Sequence, residues 1–150
     1  MIAINHALTG ALIGFSVSNP VLAIFLALIS HFVLDSIPHF SVDGDNDAWI
    51  KSKPFISMVA IDAVLCFILV MLLLYNHPLN YILAAVCAFV AAAPDLVSFN
   101  KFYANLKNKK WKPSLYTKFA SKIQWFEKPI GGAVEVTWFI IMLVSVSLFI

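Results

Sequence analysis

Two histidines and one aspartate recur at four-residue intervals within one apolar stretch of the chain. His31, Asp35 and His39 stand in the segment SHFVLDSIPH. Residues four apart on a helix share one face, so these side chains can converge on a single ion. Imidazole and carboxylate together bind zinc, and also iron or manganese. The spacing therefore predicts a divalent metal site, with Pro38 distorting or ending the helix at its edge.

Further ionisable residues stand in the other apolar stretches. They are His6, Asp62, Asp95 and Glu135. Such groups are costly in lipid and mark functional sites that face the interior of a helical bundle. Since no lysine lies within these stretches beside the acids, a bound cation is the economical counter-charge.

These residues divide into two predicted roles. The predicted metal ligands are His6, His31, Asp35, His39 and Asp95. The predicted catalytic acids, acting as general base or as a further ligand, are Asp62, Asp95 and Glu135. For each acid a plain hydrogen bond to a neighbouring helix or to headgroup water is the competing interpretation. Asp62 could also accept a hydrogen bond from the N–H of a metal-binding histidine and so orient its ring.

The composition indicates which elements must position these groups. Hydrophobic residues make up 61% of the 150 residues and charged residues 12%, against about 25% charged in soluble domains. This excludes a soluble monomer, a disordered chain, a collagen-like fibre and a nucleic-acid-binding domain. Cys66 and Cys87 lie in apolar runs, so no disulfide framework is indicated.

The pattern predicts an all-α polytopic membrane protein with a single membrane domain. A bilayer core needs about 20 apolar residues of helix, and five stretches qualify: about 3–17, 20–37, 54–75, 79–97 and 129–150. Asn19-Pro20 separates the first two, and a turn at 76–80 separates the third and fourth. The stretch 100–128 is too polar to span. Its mixture of aromatics and lysines favours an interfacial segment, with a solvated loop as the alternative.

The lysines predict the orientation. The chain has ten lysines and no arginine. Lys51 and Lys53 lie between the second and third helices, and the other eight lie between the fourth and fifth. The opposite loops contain none, so the positive-inside rule puts the N-terminus in the cytoplasm and the C-terminus outside. All the candidate site residues then fall in the cytoplasmic third of the inner membrane.

The first predicted helix has a packing motif of small residues. Gly10 and Gly14 form a GxxxG spacing, which allows another helix to approach closely. Such packing would bring His6 inward. The competing interpretations are that His6 caps the first turn or meets lipid headgroups, and that the glycines serve packing alone.

Three short motifs together resemble a known family. Asn5-His6-x-x-x-Gly10, Ser30-His31-x-x-x-Asp35-x-x-Pro38-His39 and Pro94-Asp95 are similar to motifs of the bacterial membrane-bound predicted metal-dependent hydrolases. That family is itself similar to zinc-dependent phospholipase C and S1/P1 nuclease. The resemblance implies that His6, His31, Asp35 and His39 bind metal and that Asp95 is the family's later acid. Because this chain has fewer histidines than the phospholipase and nuclease families use, we expect one or two ions, zinc first and manganese or iron as alternatives.

The resulting hypothesis is a metal-dependent hydrolase at the cytoplasmic leaflet. Its substrate would be a lipid or a lipid-linked phosphoester, because the site lies near the inner headgroup layer. Membrane lipid is thus an expected partner, nucleic acid is not, and an oligomer is compatible with the sequence. The alternatives are a metal- or proton-coupled transporter and a non-catalytic metal-binding membrane module.

Overall fold

The protein is described by a computed structural model that covers residues 1–42, 46–75 and 79–150. Seven α-helices make up most of these ranges: α1 (Ala3–Ser16), α2 (Pro20–Ser36), α3 (Asn46–Ile50), α4 (Lys53–Tyr75), α5 (Leu79–Leu106), α6 (Leu115–Ile123) and α7 (Gly131–Ser147). No β-strand occurs within the same ranges, and an isolated parallel bridge joins His39 to Glu127. The prediction of an all-α fold is confirmed there. The centre of the predicted turn at 76–80 lies outside the described residues.

Helix α1 is enclosed by the other long helices. It contacts α2, α4, α5 and α7, and its fourteen residues span about 21 Å. Its small side chains, Ala7, Gly10, Ala11 and Gly14, are buried, which allows neighbours to approach from several sides. The ionisable residue on this helix therefore lies inside the bundle rather than on its surface.

The break between α1 and α2 follows from two adjacent residues. The Asn19 side chain accepts hydrogen bonds from the backbone N–H groups of Val21 and Leu22, and so caps the start of α2. Pro20 occupies the first helical position, where its missing N–H costs nothing. Helix α2 can therefore reverse direction and pack alongside α1.

Two helices are long and apolar enough to cross a membrane, namely Lys53–Tyr75 and Asn80–Leu106. Helices α2 and α7 are also apolar but have seventeen residues each. Large apolar side chains cover the outward faces of all four. Val21, Val64, Val97 and Val136, for example, are 77%, 55%, 54% and 60% exposed. An apolar surface of this extent suits contact with lipid.

Helix α5 continues past its predicted end near residue 97. It passes through Pro94 and ends at Leu106, although proline removes one hydrogen bond from the helical ladder. The Tyr116 hydroxyl donates to the carbonyl oxygen of Pro94 at 3.1 Å, which ties α6 to this part of α5. The predicted interfacial stretch 100–128 thus contains the end of α5 and all of α6.

Helix α6 is short and packs on α2. The Ser114 hydroxyl accepts from the N–H of Thr117 and caps its first turn. The Phe32 ring of α2 lies 5.6 Å from the Phe119 ring and 6.5 Å from the Tyr116 ring, centroid to centroid. These contacts hold the following segment, 124–128, against the end of α2.

Candidate metal centre

The position of His6 is set by the close approach of α1 to α5. A Cβ atom on Gly10 would lie 2.3 Å from the carbonyl oxygen of Cys87, and one on Gly14 would lie 2.5 Å from the Cα of Ala84. Only glycine fits at these points, as the GxxxG spacing predicts. His6 lies one helical turn before Gly10, and its side chain is completely buried.

His31 is oriented by a backbone carbonyl. Its Nδ1 lies 2.8 Å from the carbonyl oxygen of Ala91 on α5. Because a carbonyl oxygen only accepts, Nδ1 carries the hydrogen, and Nε2 on the other side of the ring faces the carboxylates. Metal-binding histidines are commonly held in this way. The ring lies against that of His6, with centroids 4.1 Å apart.

Two carboxylates face the imidazoles. Asp35 Oδ1 lies 3.2 Å from His6 Nε2, and Asp35 Oδ2 lies 3.3 Å from His31 Nε2. Asp95 Oδ1 lies 4.0 Å from His31 Nε2. Ligand atoms of His6, His31 and Asp95 all lie within 4.8 Å of one another. Helices α1, α2 and α5 thus bring three of the five predicted ligands, His6, His31 and Asp95, into one group, and Asp35 lies beside both imidazoles without belonging to that group.

These distances suit a metal ion. A tetrahedral zinc with nitrogen and oxygen ligands at about 2.0–2.1 Å places its ligand atoms about 3.3–3.4 Å apart. The two distances from Asp35 to the imidazoles are close to this spacing, but they involve different carboxylate oxygens, so a single Asp35 oxygen would have to move to bind the same ion as both rings. The 4.0 Å between Asp95 and His31 needs to shorten by about 0.6 Å, a shift within reach of a carboxylate that accepts no hydrogen bond among the described residues.

The imidazole of His6 gives an independent test of the fit. Both of its ring nitrogens are buried, and neither has a hydrogen-bond partner within the described ranges. The 3.2 Å to Asp35 is a short distance without hydrogen-bond alignment. An unsatisfied buried polar group costs about 1–3 kcal/mol. A cation bound between His6 Nε2, His31 Nε2 and the carboxylates would satisfy Nε2 and remove that part of the cost, while Nδ1 stays without a partner among the described residues.

Asp35 has two further contacts. Its Oδ2 accepts a hydrogen bond from Gln124 Nε2 at 3.0 Å, and its Oδ1 accepts one from the Met1 amino group at 2.8 Å. The carboxylate is therefore held from two sides, by the Met1 ammonium, which supplies a counter-charge, and by Gln124 at the end of α6. Sequence reasoning did not assign Gln124 this role, and its only signal was a polar side chain just before the last apolar helix.

Asp62 holds the start of α1. Its two carboxylate oxygens accept from the backbone N–H groups of Ala3 and Ile4 at 2.7 and 2.8 Å. The residue at the N-cap position, Ile2, has no side chain that could do this. A carboxylate at a helix N-terminus satisfies free N–H groups and complements the helix dipole. The geometry thus gives Asp62 a positioning role.

Glu135 serves the same end of α1 from α7. Its Oε1 accepts from the N–H of Ile2 at 3.2 Å, and its backbone carbonyl accepts from Asn5 Nδ2 at 3.1 Å. The side chain is buried. Asp62 and Glu135, both predicted as catalytic acids, therefore fix the helix that carries His6.

His39 makes its contacts with the segment before α7. Its Nε2 lies 3.4 Å from Glu127 Oε1, and its Nδ1 lies 3.0 Å from the carbonyl oxygen of Ile37. Its backbone N–H donates to Phe126, and its carbonyl oxygen accepts from Lys128. His39 is not one of the residues whose ligand atoms gather within 4.8 Å. Helix α2 ends at Ser36, before Pro38, so His39 lies outside the helix and does not share the face of His31 and Asp35.

A cavity of about 710 Å³ adjoins the cluster. Asp95, Asp62, Glu135, His39 and Glu127 contribute polar groups to its wall, and most of the remainder is apolar. Its volume falls in the range of about 300–1,000 Å³ that encloses small-molecule ligands. Asp95 is the member of the cluster that lines this cavity, and it is therefore the residue through which a ligand would reach the site.

Comparison of this chain with protein-family models, with curated proteins and with solved structures finds no match.

Proposed function

We propose that this chain is a membrane-embedded, metal-dependent hydrolase of lipid or lipid-linked phosphoesters. The observation that carries the proposal is the buried His6 imidazole, which has no hydrogen-bond partner for either ring nitrogen among the described residues. It faces a second imidazole and two carboxylates. A site of this composition, beside an apolar cavity, combines a place for a divalent cation with a place for a hydrophobic substrate.

The proposed membrane arrangement has five spans with the N-terminus in the cytoplasm. Helices α2 and α7 have seventeen residues each, at the lower limit of about 17–25 for a span. Helix α1 is shorter, but its enclosure by its neighbours removes the need for lipid contact along its length. The lysine-rich connections on one side favour the cytoplasmic face of the inner membrane.

His6, His31, Asp35 and Asp95 would hold the cation, with zinc as the expected metal and manganese or iron as alternatives. When bound, such an ion polarises a phosphoryl oxygen and makes water more acidic. The Ala91 carbonyl accepts a hydrogen bond from His31 Nδ1, so Nε2 is the ring nitrogen that can bind a metal. Gln124 orients Asp35. Asp95, which is less enclosed than the imidazoles, is the group best placed to accept a proton from the cavity side.

The same features distinguish this proposal from its alternatives. A transporter needs polar groups along a path across the membrane, whereas the cavity wall beyond Asp62 on α4 carries only Ala63, Cys66, Phe67 and Val70. A purely structural metal site tends to be closed by protein ligands, whereas Asp95 borders a cavity large enough for a ligand. Hydrolysis is the chemistry that uses both features.

The test is phosphate release from lipid phosphoesters by the protein in nanodiscs. We expect turnover that chelators abolish and zinc restores, and that His31→Ala and Asp95→Asn remove. Trp138→Phe serves as the matched control, because Trp138 contacts Thr9 and does not line the cavity. Retention of zinc by a protein that hydrolyses none of a panel of lipid phosphates and acyl esters would contradict the proposal.

A further inference from the structure

The facing sides of α4 and α5 form two apolar stripes that are held apart. Cavity-lining residues on α4 recur every three or four positions: Phe55, Val59, Ala63, Cys66, Phe67 and Val70. Those on α5 do the same: Ala88, Phe89, Ala92, Leu96, Phe99 and Phe102. This spacing is that of a single helix face, which normally packs into a core. Here a crevice separates the two faces.

Helices α4 and α5 meet at both ends of the crevice: the Phe55 and Phe102 rings lie 5.7 Å apart, centroid to centroid, at one end, and Leu69 and Leu73 pack at the other. The buried residues of α4 are Leu69 and Leu73, both in its second half. The lining residues Phe67, Phe89, Leu96 and Phe99 are each more than half exposed, at 66%, 55%, 64% and 52%. Between these two ends the crevice is open sideways, toward the region that lipid would occupy.

The polar groups in the crevice mark where a ligand's polar part would lie. Asp62 and Asp95 line it on opposite walls, and Asp95 belongs to the candidate metal centre. From Asp62 to Val70 the α4 wall runs for about 12 Å with no ionisable carboxylate or amine. A ligand whose anionic head is held through a cation beside Asp95, and whose hydrocarbon chain follows this wall, would match the distribution of polarity.

We propose that the α4–α5 crevice binds one hydrocarbon chain of the substrate, which enters sideways from the bilayer and places its phosphoester head beside Asp95. This inference rests on the proposed function for the identity of the occupant. A volume of about 710 Å³ suits one small molecule, so the crevice takes a single chain rather than both chains of a diacyl lipid. The rest of a long chain would leave between Phe67 and Phe89.

The test is photo-crosslinking of a monoacyl glycerol phosphate that carries a diazirine in the middle of its chain. The full chain is reconstituted in nanodiscs and loaded with zinc, and the probe carries a phosphonate in place of the phosphoester, so binding is measured without turnover. Mass spectrometry should locate the crosslinks on the crevice wall, at Cys66–Val70 of α4 and Ala88–Ala92 of α5. Crosslinks spread over the outward faces of α2 and α7 would overturn the inference.

A matched pair of variants on one helix sharpens the test. Ala63→Trp fills the crevice, and Ala60→Trp adds the same side chain at an exposed position that does not line it. We expect Ala63→Trp to lower the crosslink yield about tenfold and Ala60→Trp to leave it unchanged. Ala92→Trp, on the opposite wall, should repeat the loss if Ala63→Trp folds poorly. Equal yields in all variants would overturn the inference.

The two proposals fail separately. A protein that binds no metal and releases no phosphate, but still shows crosslinks in the crevice that Ala63→Trp removes, would refute the hydrolase and support the chain-binding crevice. A protein with metal-dependent turnover whose crosslinks lie elsewhere would support the hydrolase and refute the crevice.

Discussion

The substitution Gly10→Ala tests whether the approach of α1 to α5 builds the candidate metal centre. The added Cβ would lie 2.3 Å from the Cys87 carbonyl oxygen and 2.7 Å from the Ala91 Cβ. Ordinary contact begins at about 3.4 Å, so α1 must move away from α5 by about 1 Å. His6 is one turn from Gly10 on the same face, and it moves with the helix.

The size of the expected effect follows from the tolerance of metal sites. Ligand distances hold to within about 0.2 Å, and the helix shift is several times larger. Changes that disturb ligand orientation lower metal affinity about 10–100-fold, so we expect a loss in that range for zinc. The overpacked interface should also lower the free energy of unfolding by about 1–3 kcal/mol.

The assay is competition for zinc with a chromophoric chelator, in detergent or nanodiscs. Circular dichroism and thermal unfolding establish that the variant is folded. Gly132→Ala is the control, because its Cβ would meet only the Phe40 ring, at 3.3 Å, and a side chain can move. A folded Gly10→Ala protein with wild-type zinc affinity would refute the reasoning.

Three further substitutions test the roles of residues around the cluster. Asp62→Asn keeps one acceptor for the start of α1 but loses the charge, so the free energy of unfolding should fall by roughly 0.5–2 kcal/mol with zinc stoichiometry unchanged. Loss of bound zinc at unchanged stability would instead identify Asp62 as a ligand. Gly131→Ala places a Cβ 2.1 Å from the His39 carbonyl carbon, and it should lower the melting temperature clearly, while Gly132→Ala does not. Equal melting temperatures would contradict this packing. Trp138→Phe removes the 3.0 Å hydrogen bond to Thr9 Oγ1 and should cost about 0.5–1.5 kcal/mol in chemical unfolding, and no change would mean that this bond contributes nothing.

The local spacing of residues predicted part of the candidate site. His31 and Asp35 are four apart on α2, and their facing atoms lie 3.3 Å apart. Gly10 and Gly14 predicted a close helix contact, and the structure places Cys87 and Ala84 against them. In each case the relevant geometry belongs to one helix, which a repeat of three or four residues describes well.

Relations between distant segments could not be predicted in this way. Asp62 has the sequence context of a membrane-buried functional acid, and its partners are the N–H groups of Ala3 and Ile4 on another helix. The orienting partner of His31 is the backbone carbonyl of Ala91, which leaves no trace in residue type. His39 pairs with Glu127 because the segment before α7 folds back on the end of α2.

For the fold, too, features within one helix could be predicted and contacts between helices could not. The helical stretches follow from apolar run length, and the start of α2 follows from Asn19 and Pro20. The passage of the helix through Pro94 was predicted, but its continuation from residue 97 to Leu106 was not, because the polar residues after 97 were assigned to an interfacial segment. Its persistence depends on packing against other helices, which includes the Tyr116 contact.

The candidate metal centre is tested most sharply by X-ray absorption at the zinc edge, on the full chain loaded with one equivalent of zinc. We expect nitrogen and oxygen ligands at about 2.0–2.1 Å with outer-shell scattering from two imidazoles, those of His6 and His31, and scattering from one imidazole in His31→Ala. A spectrum without imidazole scattering, or a protein that retains no zinc after desalting, would show that these residues do not form a metal centre.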